Sequence, residues 1–420
     1  MTSLRRWLVM AILCFSGGII FMLPFLREVY YIPMQEAFGY DNTQMGVLMS
    51  VFGTVSLLTY FPGGWIADRF SPRKLMASAL LATGLAGLYF STFPGYLVSI
   101  LIHGFWGGAI SLVFWGAMIK ATRNWAPAEE QGRAFGILEG GRGISEMLSS
   151  SLFLAVFAYL GSQAEGLSQV ILLFALTNIG LAVATWLVLD DRHGGDPEAR
   201  SEPVGLTEVL EVLRMPVVWL ISLVVLAAYS AYWGSYYFAP YASEVYGLSV
   251  VLGGAVGVGK MWLKPFAAVG GGFLADRLGV ARTVFAVSLL MLVSFIGLGL
   301  LPGGAALLWP MLIVAAVASL AIFALRGIYF ALLEDCHVPA AVTGTAAGVV
   351  SAIGFTPDVF MPLVGGVLLD AYPGATGYRL FYGFIAVLCA LGSLAAWRLL
   401  SRSGRGSMES REANAKGSEI

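Results

Sequence analysis

Twelve stretches of about 20 mostly apolar residues recur along this 420-residue chain, near 7–28, 43–66, 75–92, 97–120, 134–160, 167–189, 216–240, 249–274, 283–301, 306–331, 341–368 and 379–400. Each is long enough to cross roughly 30 Å of hydrocarbon as a helix. In lipid a backbone must satisfy its own hydrogen bonds, so runs of this length fold as helices. The expected fold class is therefore an all-α membrane protein with twelve transmembrane helices. Composition excludes a soluble alternative. Charged residues are 12% and hydrophobic residues 58% of the chain, against about 25% charged in soluble domains.

The chain repeats itself. Gly64-Trp65-Ile66-Ala67-Asp68-Arg69 lies between two apolar stretches and is followed by Arg73 and Lys74. Gly272-Phe273-Leu274-Ala275-Asp276-Arg277, followed by Arg282, lies between two others, 208 residues later. Pro33 matches Pro240, Gly39 matches Gly247 and Gly46 matches Gly254 at an offset of 207 or 208. Pro127 and Pro339, Gly132 and Gly344, Gly136 and Gly348, and the acids Glu146 and Asp358 match at 212. A constant order at a near-constant offset predicts two parallel six-helix repeats. The boundaries that follow are a first bundle over 1–189, a linker over 190–215, a second bundle over 216–400 and a tail over 401–420 without fixed order.

A G-x-x-x-D-R turn after the second span, repeated after the eighth, resembles the loop motif of the major facilitator superfamily. The resemblance implies a secondary transporter that moves a small-molecule solute across the lipid bilayer by alternating access. It implies a gating role for Gly64, Asp68, Arg69, Arg73, Gly272, Asp276 and Arg277. Asp68 at a span end can cap a neighbouring helix start and pair with arginines across the seam between halves. The plainer reading is that the loop's basic residues fix topology. Where the family pattern has a glycine, the first copy has Ser71-Pro72 and the second keeps Gly279. Within the superfamily the pattern is similar to the bacterial branch of sugar-phosphate and other organic-anion antiporters and nitrate carriers. Organophosphate antiporters have a basic residue in the first and in the seventh span. Arg27 fills the first place, but Ser235 and Tyr236 stand in the seventh, leaving the lysines of the eighth to substitute.

Orientation follows the basic residues. Of 24 Lys and Arg, Arg27, Arg142, Lys260, Lys264 and Arg326 fall in spans and Arg379 in an outer loop; the other 18 share one side. That places both termini in the cytoplasm. The absence of N-glycosylation acceptors in outer loops suits a bacterial inner, plasma-type membrane. Three cysteines have no metal spacing, and no G-x-x-x-x-G-K-[ST] loop is present, so neither a cofactor, a metal, an enzymatic activity nor ATP-driven pumping is expected. No nucleic-acid partner is expected, and the protein is expected to act as a monomer.

The chemistry must lie with charges inside the bilayer, each of which needs a partner, a wet cavity or a function. On the fifth span Glu139 and Glu146 stand at i−3 and i+4 of Arg142, so the three can share one face. They form either a structural triad or a substrate or proton site. Lys260 and Lys264 stand one turn apart on the eighth span and call for an anion, either Glu139, Glu146 or Asp358 or a solute. Arg27, near the outer end of the first span, faces solute or snorkels to the interface. Arg326, in the tenth, faces solute or pairs with Glu334 or Asp335. Tyr229, Trp233, Tyr236 and Tyr237 follow helical spacing on the seventh span, as a cavity wall or an interfacial belt.

The expectation is a transporter of a small organic anion, a carboxylate or a sugar acid or phosphate. Arg27, Arg142, Lys260, Lys264, Arg326, Trp233 and Tyr236 would bind it, and Glu139, Glu146 and Asp358 would couple transport to protons. An exporter of neutral or cationic compounds and a non-transporting sensor are the alternatives.

Overall fold

The computed structural model describes residues 3–127, 130–190, 206–339 and 342–417. Each expected span falls on one helix or on helices joined end to end. The first is α1 (Ser3–Ile19) with α2 (Arg27–Phe38), then come α3 (Asn42–Arg69) and α4 (Pro72–Phe90). α5 (Tyr96–Gly108) passes through a π-helical turn at Ala109–Phe114 into α6 (Trp115–Trp125), followed by α7 (Gln131–Tyr159) and α8 (Ala164–Val188). The second half begins with the short α9 (Leu206–Leu213), then α10 (Pro216–Ser235) continued by α11 (Phe238–Glu244), α12 (Val250–Leu278) and α13 (Val280–Leu300). It ends with α14 (Leu308–Ile328) and the short α15 (Leu332–Asp335), α16 (Thr343–Gly354) with α17 (Pro357–Ala371), and α18 (Ala375–Gly417). Among the described residues there is no strand. Seven of these runs meet a strict test of length and hydropathy for crossing a membrane, eight if the bent α3 is counted.

Three boundaries differ from expectation. The first span does not end at residue 28. It breaks into irregular turns at Ile20–Leu26 and resumes as α2 to Phe38, so Arg27 lies within the span and not near its outer end. The seventh likewise runs past residue 240 to Glu244, with a turn at Tyr236 and Tyr237. The tail, expected to lack order, continues α18 to Gly417. Of the linker, residues 191–205 lie outside the described residues.

Local chemistry fixes the helix starts. Asp41 accepts from Gln44 N at 2.7 Å while Gln44 Oε1 accepts from Asp41 N at 3.1 Å, a reciprocal box at the start of α3. Ser71 caps α4 and Pro72 supplies its first residue. The cap expected from Asp68 is thus made by Ser71, and Pro replaces Gly in that turn without loss.

The two halves meet along α3 against α17 and along α12 against α2 and α7. The α3–α17 seam is tight because glycines line it. A Cβ on Gly366 would collide with the Asn42 carbonyl, and one on Gly46 with the Pro362 carbonyl. At the end of this seam Asp370 on α17 binds the start of α3. Its Oδ1 accepts from Asn42 N (3.1 Å) and Nδ2 (2.8 Å), and its Oδ2 from Thr43 N (2.7 Å) and Oγ1 (2.5 Å). Toward the opposite end, which carries Arg69, Arg73 and Arg277, the surface is open. Gly136 and Gly140 on α7 and Gly344 and Gly348 on α16 are exposed and have no atom within 4 Å of a built Cβ. Gly366→Leu should therefore part the seam at the Asp370 end. Spin labels at Glu36 and Tyr372 should move apart by several ångströms, and an unchanged distance would show that the seam absorbs the side chain.

Candidate functional site

Of the charged residues singled out in the sequence, Lys264 pairs with Glu146 across the seam between halves and Arg142 with Glu139, both among the expected partners, while Lys260 has a partner that was not expected. Lys260 Nζ on α12 lies 2.5 Å from Glu28 Oε1 on α2 and donates to Ser235 Oγ at 3.1 Å. Both charged side chains are buried, 2% and 6% exposed. Lys264 Nζ lies 2.9 Å from Glu146 Oε2 on α7. Each lysine thus ties the second half to the first through its own carboxylate. Two cations on one helix face coexist because each is neutralised separately.

This splits the expected fifth-span triad. Arg142 keeps Glu139 (Nη1–Oε1, 2.6 Å) and donates from Nε to the Gly17 carbonyl at 3.0 Å, while Glu146 turns to Lys264. Shared helix face did not decide the pairing; the neighbouring helix did. Arg142 also lies 5.0 Å from the Trp115 ring, a contact supplied by the fourth span that spacing gave no sign of. Glu139 is 58% exposed against 10% for Arg142, so this pair borders the open side.

Arg27 and Arg326 differ from the other three cations. Among the described residues neither has a carboxylate within ion-pair distance. Arg27 is 1% exposed, so it does not snorkel. It donates from Nη1 to the Met45 carbonyl at 3.0 Å and lies 4.7 and 4.9 Å from the rings of Tyr31 and Tyr237. Its Nε and Nη2 have no hydrogen-bond partner. Arg326, half-buried, lies 3.9 Å from the Tyr232 ring and 4.9 Å from that of Tyr229, whose hydroxyl accepts from Nη2 at 3.4 Å; its Nη1 is unpartnered. The pairing with Glu334 or Asp335 is not made. Guanidinium planes held on aromatic faces with free N–H groups keep their capacity for a carboxylate fork.

From the Arg326 side runs a line of packed rings, Tyr229, Tyr232, Tyr236, Trp233 and Phe25. Trp233 stacks on Tyr236 at 4.9 Å, Tyr236 Oη donates to Tyr232 Oη at 3.0 Å, and Phe25 from the turn of the first span packs on both Trp233 (6.1 Å) and Tyr236 (5.7 Å). Trp233 and Tyr236 are 1% and 3% exposed, which makes the stripe interior at these positions and not an interfacial belt. Asp358 on α17 accepts from Trp233 Nε1 at 2.7 Å. His103 is packed between Phe90 and Trp106, with Nδ1 2.8 Å from the Ser99 carbonyl.

The loop residues stand apart from this centre. Arg69 lies 3.8 Å from the Trp65 ring and Arg73 4.4 Å from that of Trp186. Lys120 closes the end of α3 by donating to the carbonyls of Ala67 (2.8 Å) and Asp68 (3.1 Å). Asp68, Asp276 and Arg277 are exposed, as is Gly64, and among the described residues neither aspartate forms an ion pair. Gly272 is half-buried at the same end.

Comparison with known proteins bears on the family and the fold. A family model described as the Major Facilitator Superfamily matches residues 7–357. The chain is 31% identical over 410 residues to the inner membrane protein YqcE of Escherichia coli (strain K12), covering 95% of each. It is 27% identical over 380 residues to the probable nitrate/nitrite transporter NarK2 of Mycobacterium tuberculosis, covering 87% of this chain and 91% of that one. Among solved structures it is similar to a bacterial homolog of the human lysosomal transporter Spinster, with a TM-score of 0.72 at 16% identity over 96% of this chain and 99% of that one.

Proposed function

The chain belongs to the Major Facilitator Superfamily, and from that premise we propose that it is a secondary active transporter of a small organic anion. The observation that carries this reading is the sorting of the cations within its spans. Arg142, Lys260 and Lys264 each have a carboxylate, whereas Arg27 and Arg326 have aromatic cages and unpartnered nitrogens. A cation kept in a membrane interior without a counter-ion is expensive, and a solute anion is the counter-ion such a site is built to receive. The name of the NarK2 relative, a carrier of an anion, supports the same sign of charge.

The transport cycle we propose is rocking of the halves about the α3–α17 and α12–α2–α7 seams. With the basic end in the cytoplasm, the conformation described here is closed outside at Asp370 and open inside. Lys260 and Lys264 then serve to hold the halves together, and Arg27 and Arg326, with Trp233 and Tyr236, hold the solute. The exposed Asp68 and Asp276 would find partners across the cytoplasmic seam when the inner side closes, which is the gating role of the repeated loop. Proton coupling would run through Glu139 at the open side or Asp358 beside the aromatic wall, since Glu146 is committed to Lys264. The protein works as a monomer in a bacterial inner membrane with both termini inside.

A thermal-shift panel on the purified protein tests the charge of the solute. Carboxylates, sugar acids, sugar phosphates, nitrate, neutral sugars and lipophilic cations would be compared. A ligand that binds only the folded state at about 100 times its Kd adds roughly 2.7 kcal/mol of stability. Stabilisation by an anion class alone is the expected outcome; stabilisation by cations or neutral compounds alone would replace this reading with export of such compounds.

A further inference from the structure

The two arginines without an acid partner among the described residues come from opposite halves of the chain and lie on different tyrosines of the seventh span. Arg27 lies on Tyr237, and Arg326 on Tyr232 and Tyr229. Tyr237 stands five positions beyond Tyr232 and eight beyond Tyr229. At about 1.5 Å per residue the two cages are roughly 8–12 Å apart along the seventh span. The two oxygens of one carboxylate form a single fork that matches one guanidinium. A lone carboxylate therefore leaves one of these arginines without a counter-ion.

Resting on the anion reading above, we propose that the solute is a dianion with an acidic group at each end of a short carbon chain, one end held by Arg27 and the other by Arg326. The wall between the cages fits the middle of such a molecule. Phe25 and Trp233 offer apolar faces, and Tyr232 and Tyr236 offer hydroxyls suited to a hydroxylated chain. Asp358 accepts from Trp233 Nε1 and, among the described residues, forms no ion pair with Arg326, whose Nη1 is left unpartnered. Because Arg27 belongs to the first half and Arg326 to the second, a two-ended solute bridges the halves, which a one-ended solute on either residue does not.

The test uses the full-length purified protein and matched pairs of equal chain length, adipate against hexanoate and glucarate against gluconate, measured by titration calorimetry. The dianion of a pair is expected to bind at least tenfold tighter than its monoanion. Arg326→Gln should reduce the dianion to the monoanion's affinity, and Arg326→Lys should restore part of the gap. Equal binding within both pairs would overturn the two-ended site and leave an anion passed from one arginine to the other. Binding of none of the four would overturn the two-ended site, and stabilisation by no anion of the thermal-shift panel would overturn the anion reading itself. The wild-type comparison stands whether or not Arg326→Gln folds.

Discussion

Lys260→Met is expected to destabilise the protein by about 3–5 kcal/mol, the range for removing one partner of a buried ion pair. Lys260 is surrounded by groups that need its charge. Glu28 Oε1 is 2.5 Å from Nζ, Ser235 Oγ accepts from it at 3.1 Å, and the Tyr236 ring lies 4.3 Å away. Methionine fills similar space and leaves Glu28 buried without a cation. Glu28→Gln leaves the complementary orphan and should destabilise to a similar degree. The double variant removes both charges and should be less destabilised than either single, so the coupling energy in the cycle should exceed the cost of one single variant, about 3–5 kcal/mol. Melting in detergent at fixed pH measures all three. Single variants that melt with the wild type would show that the pair does not hold α2 to α12.

Arg326→Gln should act on transport and hardly at all on stability. Among the described residues Arg326 forms no ion pair; it rests on the Tyr229 and Tyr232 rings with a long hydrogen bond to Tyr229 at 3.4 Å, so the fold loses little. The solute loses a buried charge partner. Truncating one side of such a contact costs about 2–5 kcal/mol, and about 1.4 kcal/mol is a factor of ten. Uptake into proteoliposomes should therefore fall at least about 30-fold in kcat/KM. Arg326→Lys keeps the charge but not the fork and should fall in between. Uptake within threefold of wild type in the glutamine variant would remove Arg326 from the site.

Membrane helices were the most legible part of this chain because their signal is local: an apolar run of the right length must be a helix in lipid. The repeat was legible because a short motif and several glycines and prolines keep one offset. Partnerships were not, because they join residues from different halves. Glu28 looked like a neighbour of Arg27 at a span end, whereas the structure buries it against Lys260. The apolar count stops at residue 28 because Arg27 and Glu28 are charged, yet their charges are covered by Tyr31, Tyr237 and Lys260 and the helix continues. Glu139, Arg142 and Glu146 share a face by spacing, but spacing left open which of Glu139, Glu146 and Asp358 would meet the lysines; Lys264 stands opposite Glu146. The role of Asp370 had no sequence signal either, since two of its four partners are backbone N–H groups that every helix start presents and the other two are side chains of the opposite half.

That last contact decides where the barrier to switching lies. Asp41 and Gln44 already close the first turn of α3 by themselves, and Asp370 adds bonds from the backbone N–H groups and the side chains of Asn42 and Thr43. These four bonds are exposed, so when the halves part, water replaces each of them and the helix does not fray. Releasing the catch is then nearly balanced in free energy, with exchange of partners in place of loss. The slow step of reorientation falls instead on the apolar and glycine-packed seam below it, and the catch sets which state is resting without setting how fast the protein turns over.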